Sequence, residues 1–223
     1  MSLYATNNFE RTPVLEPGIY NAVCVRLIDL GTQYNERFDS SSHKIRIFWE
    51  ILGETVEING ETINRQISKE YTVSLSDKSN LRAALRSWRG KDFTAEELQK
   101  FDLRNILGVG CQIQIIHNTT DKGTFANVET IIPLPKGQKL CSSEKPVCFD
   151  LDDVSTYAVF DSLPRFVQEQ IALCEEFPAT GLTLPKKEPR AAMDPKPSPT
   201  LPNPEEFDEE ITLPEEDSFE PSF

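Results

Sequence analysis

The chain has 223 residues, 38% of them hydrophobic, with 23 Lys and Arg against 36 Asp and Glu, a net charge of −13. That length suits one sizeable domain with appendages or two small ones. Five cysteines with no Cys-x-x-Cys, beside only His43 and His117, argue against a zinc site and for buried thiols in a reduced, intracellular setting. No apolar run approaches the roughly 20 residues that cross a bilayer, and no basic-then-apolar signal opens the chain, so no membrane role is expected.

Charge is unevenly spread. Residues 1–145 hold 18 basic and 18 acidic side chains, 146–185 hold one and seven, 186–200 hold four and two, and 201–223 hold none and nine. All the net negative charge is made after residue 145, so the acidic total says nothing against a polyanion-binding front end.

Residues 1–16 read as a polar arm. From Ile19 to Leu30 apolar residues fall on both parities, as in a strand that is strongly bent or covered on both faces. Gly31 to Ser42 reads as a loop. Lys44 to Ile51 alternates, with Ile45, Ile47, Trp49 and Ile51 on one face and Lys44, Arg46, Phe48 and Glu50 on the other. Asn59-Gly60 between alternating residues predicts a hairpin. Gln66 to Leu75 is the next strand. A helix follows, capped by Ser76 or Asp77, ended by Gly90, with Leu81, Leu85 and Trp88 as its core stripe. Thr94 and Glu97 form a capping box. Cys111 to His117 and Thr124 to Ile132 are the last strands.

Three strands, a helical segment and two strands follow the order of a five-stranded OB-fold barrel. The prediction is a mainly β domain over 17–137, with a helical segment between strands 3 and 4. An extension over 138–184 carries the helical stripe Leu163, Val167, Ile171 and Cys174, and packs on the barrel. Residues 185–223 form a disordered proline-rich linker and acidic tail, too poor in apolar residues to build a core.

Catalytic patterns are weak. No phosphate-binding glycine motif is present. Asp150, Asp152 and Asp153 read as an exposed acidic loop, the histidines have no evident carboxylate partner, and no catalytic residue, metal or cofactor is expected. Binding signals are stronger. Seven basic residues crowd Arg65 to Lys91 against Glu70 and Asp77. Single strands are held by cations along the backbone and aromatic rings under the bases. The candidates are Arg26, Tyr34, Arg37, Lys44, Arg46, Phe48, Arg65, Lys69, Tyr71, Arg82, Lys122 and Phe125. The alternatives are a core place for Tyr71, packing beneath the extension for Phe48, and a solvated helix face for the stripe of Arg82, Arg86 and Arg89, while Lys44, Arg46 and Phe48 together favour binding.

The stretch Ile67-Ser-Lys-Glu-Tyr-Thr-Val-Ser-Leu-Ser-Asp-Lys-Ser-Asn-Leu-Arg82, then Ser87-Trp-Arg-Gly-Lys91, resembles a family of tailed-phage single-stranded DNA-binding proteins. Phe101-Asp-Leu103, Ile115-Ile-His-Asn118, Ala126-Asn-Val128 and Leu134-Pro-Lys-Gly137 support it, over about residues 17–175. The resemblance implies an OB fold, non-enzymatic binding of single-stranded DNA in phage replication or recombination, and the cytoplasm of an infected bacterium. It also implies that the tail, with Glu215, Glu216, Asp217, Phe219 and the terminal Phe223, recruits a polymerase, helicase or nuclease and competes with DNA. A monomer and a homodimer both fit. The alternative is a protein-interaction adaptor whose tail mimics nucleic acid.

Overall fold

The computed structural model describes residues 13–185, apart from Asn59, Lys122 and the side chain of Ile58. The arm up to residue 12, Lys122, and the linker and tail from residue 186 lie outside the described residues. The described fold is mainly β. Its long strands are β1 (Gly18–Asn35), β2 (Ser40–Ile58) and β3 (Glu61–Thr72), followed by β4 (Gly110–Thr120) and β5 (Gly123–Ile132). Helices α1 (Asn80–Arg89) and α2 (Ala95–Gln99) and a short 3-10 turn at Leu103–Ile106 separate β3 from β4. The extension supplies β6 (Val147–Phe149), a 3-10 stretch Val154–Ser162, α3 (Arg165–Ile171) and α4 (Phe177–Thr180).

The five long strands form one antiparallel sheet in the order β3-β2-β1-β4-β5. The sheet curls until the backbones of its two outer strands, β3 and β5, approach within 8 Å. No ladder joins those two strands among the described residues. The short β6 runs parallel to β1 at Arg26–Ile28, just beyond the stretch Gly18–Val23 that pairs with β4.

Two irregularities in β1 account for its mixed parity. Its register against β2 slips between Cys24 and Arg26 and again between Asp29 and Gly31. An extra residue in a strand turns every later side chain to the other face. Ala22, Cys24 and Leu27 therefore enter the main core, while Val25, Ile28 and Leu30 enter a second core under the extension. Bending and two-sided cover both hold.

The predicted loop Gly31 to Ser42 is mostly ladder: β1 and β2 pair as far as Asn35 and Ser40, leaving a four-residue turn. Asp39 takes a left-handed φ of 45° there, a conformation Asp tolerates because its side chain bonds locally. Helix α1 starts at Ser79, not Ser76 or Asp77: the Ser79 hydroxyl accepts from the Arg82 amide. Gly90 closes the helix in the left-handed region at φ 65°. Leu81, Leu85 and Trp88 are buried, and Trp88 Nε1 donates to the Gly110 carbonyl at 3.3 Å. The predicted arm is not wholly free, since Leu15 is buried in the main core.

The extension is tied to the sheet by apolar and polar contacts. Val25, Ile28, Leu30 and Phe48 pack against Phe149, Phe160, Val167 and Ile171. Glu50 on β2 is fully buried and accepts from Asn64 Nδ2 at 2.6 Å, from the Ser143 amide, and from the Ser142 and Ser143 hydroxyls. Burial alone would raise its pKa, but these donors outweigh that and lower it.

Candidate nucleic-acid interface

The predicted binding residues divide between two places. Strand parity sends Ile45, Ile47 and Trp49 of β2, and Ile67, Lys69 and Tyr71 of β3, to the inside of the curl. The same alternation sends Lys44, Arg46 and Phe48 outside, beside Ser68 and Glu70.

Lys44, Arg46 and Phe48 read as a binding face in the sequence, with Phe48 packed under the extension as the alternative, and the extension covers that face. Phe48 is 5% exposed within the second core, so it offers no ring to a ligand. Lys44 Nζ and Arg46 Nη2 share the Glu70 carboxylate, at 2.7 and 3.0 Å. Gln170 of α3 closes the group, accepting from Arg46 and donating to Glu70, and the Phe166 ring lies 5.4 Å from the Arg46 guanidinium. Burial works against the charge of Glu70, but Lys44 and Gln170 lead the contacts that hold its pKa low. Arg26 pairs with Glu144 of the extension at 3.1 Å. These cations are already neutralised.

The second place is the seam between β3 and β5. Cavities of 250 to 430 Å³ lie along it, one lined by Arg65 and Phe125 and three sharing Lys69, of which one reaches Ser76, Lys78 and Asn80. Phe125 is 48% exposed. Arg65 Nη2 donates to the Pro13 carbonyl at 2.5 Å and Lys69 Nζ to the Val128 carbonyl at 2.7 Å. Among the described residues neither is ion-paired, and each donates to a backbone carbonyl. Tyr71 belongs to the core: it is 4% exposed, burial pushes its phenol pKa up, and the Lys69 ammonium lies over its ring, 5.7 Å from the centre. Glu129 is the acidic residue on the β5 side.

The β1–β2 turn gathers Tyr34, Arg37 and Phe38. Phe38 is 68% exposed, the Arg37 guanidinium lies 5.4 Å over its ring, and the Tyr34 hydroxyl donates to Asp39 at 2.8 Å. Arg82 is spent on Asp77 and on Asp92 at 3.6 Å, and Arg89 on Glu97 and the rings of Phe93 and Phe101.

Sequence reasoning missed several residues. Ile116, His117 and Asn127 line the seam. Alternation marked the inward side of β4 but not that its far end borders a gap. His43 was expected to lack a carboxylate, yet its Nε2 lies 2.8 Å from Asp29 Oδ1. That bond raises its pKa against the opposing effect of burial. Only the slipped register of β1 brings the pair together. His43 and Asp29 border a cavity of about 330 Å³ whose wall includes Leu27, Phe101 and Phe149. Asp150 and Asp153 bond to backbone amides of their own loop, and no cluster suited to a metal occurs among the described residues. Cys24, Cys111 and Cys174 are buried free thiols, with burial pushing Cys24 up to about 12, and Cys141 is exposed. Among the described residues no helix is long and apolar enough to cross a membrane.

No protein-family model and no curated protein matches this chain.

Proposed function

We propose that the protein is a non-enzymatic, sequence-nonspecific single-stranded DNA-binding protein, and that the strand lies along the β3–β5 seam. The observation that carries this reading is the groove itself, where Arg65 and Lys69 face solvent-accessible space without carboxylate partners and the exposed Phe125 ring stands beside them. Cations spaced along a groove neutralise phosphates, and an exposed ring stacks under a base whatever its identity.

The curled five-stranded sheet supports the same reading, as an OB-type barrel. Strand order β3-β2-β1-β4-β5, with β3 beside β5 and a helix between β3 and β4, matches the order of that barrel. OB folds bind through the face of strands 2 and 3 and through the loops between strands 1 and 2 and strands 4 and 5. Here the extension covers the former, and both loops remain: the turn bearing Arg37 and Phe38, and the β4–β5 turn next to Phe125.

Fluorescence anisotropy of a labelled dT oligomer across a salt series tests the proposal. Labelled DNA is the better probe, because Trp49 and Trp88 are buried and report poorly on a bound strand. Binding should weaken with salt with a log–log slope of about −0.7 per phosphate neutralised. No binding, equal affinity for duplex, or a flat salt series would contradict it. The unladdered edges of β3 and β5 also suit an extended peptide, and a protein that ignores the oligomer in this titration would return the adaptor reading.

The tail carries a separate part of the proposal. Nine carboxylates without a cation over residues 201–223, with Phe219 and Phe223 among them, form a polyanion with aromatic rings for a partner's pocket. Deleting residues 201–223 should tighten binding to dT by removing an intramolecular competitor, and should abolish capture of a polymerase, helicase or nuclease in the infected host. Unchanged affinity would contradict the competition, and unchanged capture the recruitment.

A further inference from the structure

Lys69 breaks the pattern of its strand. It stands opposite Ile47, between Ile67 and Tyr71, on the inward-facing side of the strand, where these ladder neighbours pack in the core. A lysine at an inward position costs desolvation unless its ammonium finds a way out and a partner. The way out is the seam: the side chain crosses it, and Nζ donates to the Val128 carbonyl of β5 at 2.7 Å. The backbones of β3 and β5 come within 8 Å, no ladder joins them among the described residues, and this side-chain bond spans the gap. Lys69 also borders three adjoining cavities of the groove.

A carbonyl is a partner the ammonium can leave. A phosphate carries a full charge and accepts a stronger hydrogen bond. We propose that Lys69 is a clasp: it holds the seam shut in the free protein and passes from the Val128 carbonyl to a phosphate as a strand enters, so that binding and opening are one event. The ligand half rests on the single-stranded DNA reading above. Closure of the free seam does not.

The test places nitroxide labels on cysteines introduced at Thr72 of β3 and Asn127 of β5, in the full chain with the exposed Cys141 changed to serine. In the wild-type background the distance should lengthen by about one strand spacing, ~5 Å, when a dT oligomer binds. Lys69→Met should show the longer distance already in the free protein, and its salt slope for dT should fall by about one. Lys69→Arg should keep the closed distance and the slope. A free Lys69→Met protein with the wild-type distance overturns the clasp, as does a bound wild type whose distance does not change. If no variant binds dT, the ligand half fails together with the function proposed above. The distance in free Lys69→Met then still decides whether Lys69 closes the seam.

Discussion

The two faces of the β2–β3 pair both carry cations and have opposite surroundings. On the outer face, Lys44 and Arg46 share Glu70 and lie against α3. On the inner face Lys69 reaches a carbonyl at the edge of a groove, and Arg65 bonds only to the Pro13 carbonyl. Cations on two paired strands therefore do different work. Those under the extension glue one layer to another, and those at the seam keep their charge for an outside anion. A charge count along the chain cannot separate them, because the difference lies in which carboxylates the fold brings near.

The largest effect that would sharpen this comparison is on stability. Phe48→Ala removes a ring from the second core and should cost about 3–5 kcal/mol in denaturant unfolding. Phe125→Ala, at an exposed ring, should change stability by less than about 0.5 kcal/mol. If the two cost the same, the division between covered and open aromatics fails. Glu50→Ala leaves the Ser142, Ser143 and Asn64 donors without their shared acceptor, and should cost about 1–3 kcal/mol in the same measurement.

Affinity comes next. Phe125→Ala should lose about 1–3 kcal/mol of dT binding, one base stack, with the fold intact. Full affinity in that variant would remove Phe125 from the groove.

The smallest effects are those of pH. The pKa of His43 is raised by Asp29, so the pair stabilises the fold fully below about pH 6.5, the ordinary histidine value, and this contribution fades as pH rises through the folded value. His43→Gln should flatten that part of the stability profile. Glu176 runs the other way. Burial opposes its ionisation, but the Thr32 hydroxyl and amide hold its pKa down to about 2, so its contribution is present above about 4.5 and is lost as pH falls toward 2. Glu176→Gln should make the acid limb less steep.

Much of the fold was legible in the sequence. Alternation in β2, the pairing of β2 with β3 on either side of the predicted turn, the Leu81, Leu85 and Trp88 stripe and the Thr94–Glu97 capping box are local signals, and the structure carries each of them. The mixed parity of β1 was also readable as bending or two-sided cover, though not the bulges that produce it. What sequence could not give was non-local. Phe48 alternates outward like a surface residue, and only the docking of the extension buries it. Tyr71 and Lys69 share a parity, yet one ends in the core and the other at a gap, because the curl stops short of a ladder between β3 and β5. His43 meets Asp29 through a register slip that no motif announces.

The central claim is that the seam, and not the covered face, meets the strand. The most direct measurement is the salt slope of dT binding in four single variants: Arg65→Met, Lys69→Met, Lys44→Met and Arg46→Met. The seam variants should each lower the slope by about one, and the covered pair should leave it unchanged. Slopes that fall for Lys44 and Arg46 but hold for Arg65 and Lys69 would contradict the claim.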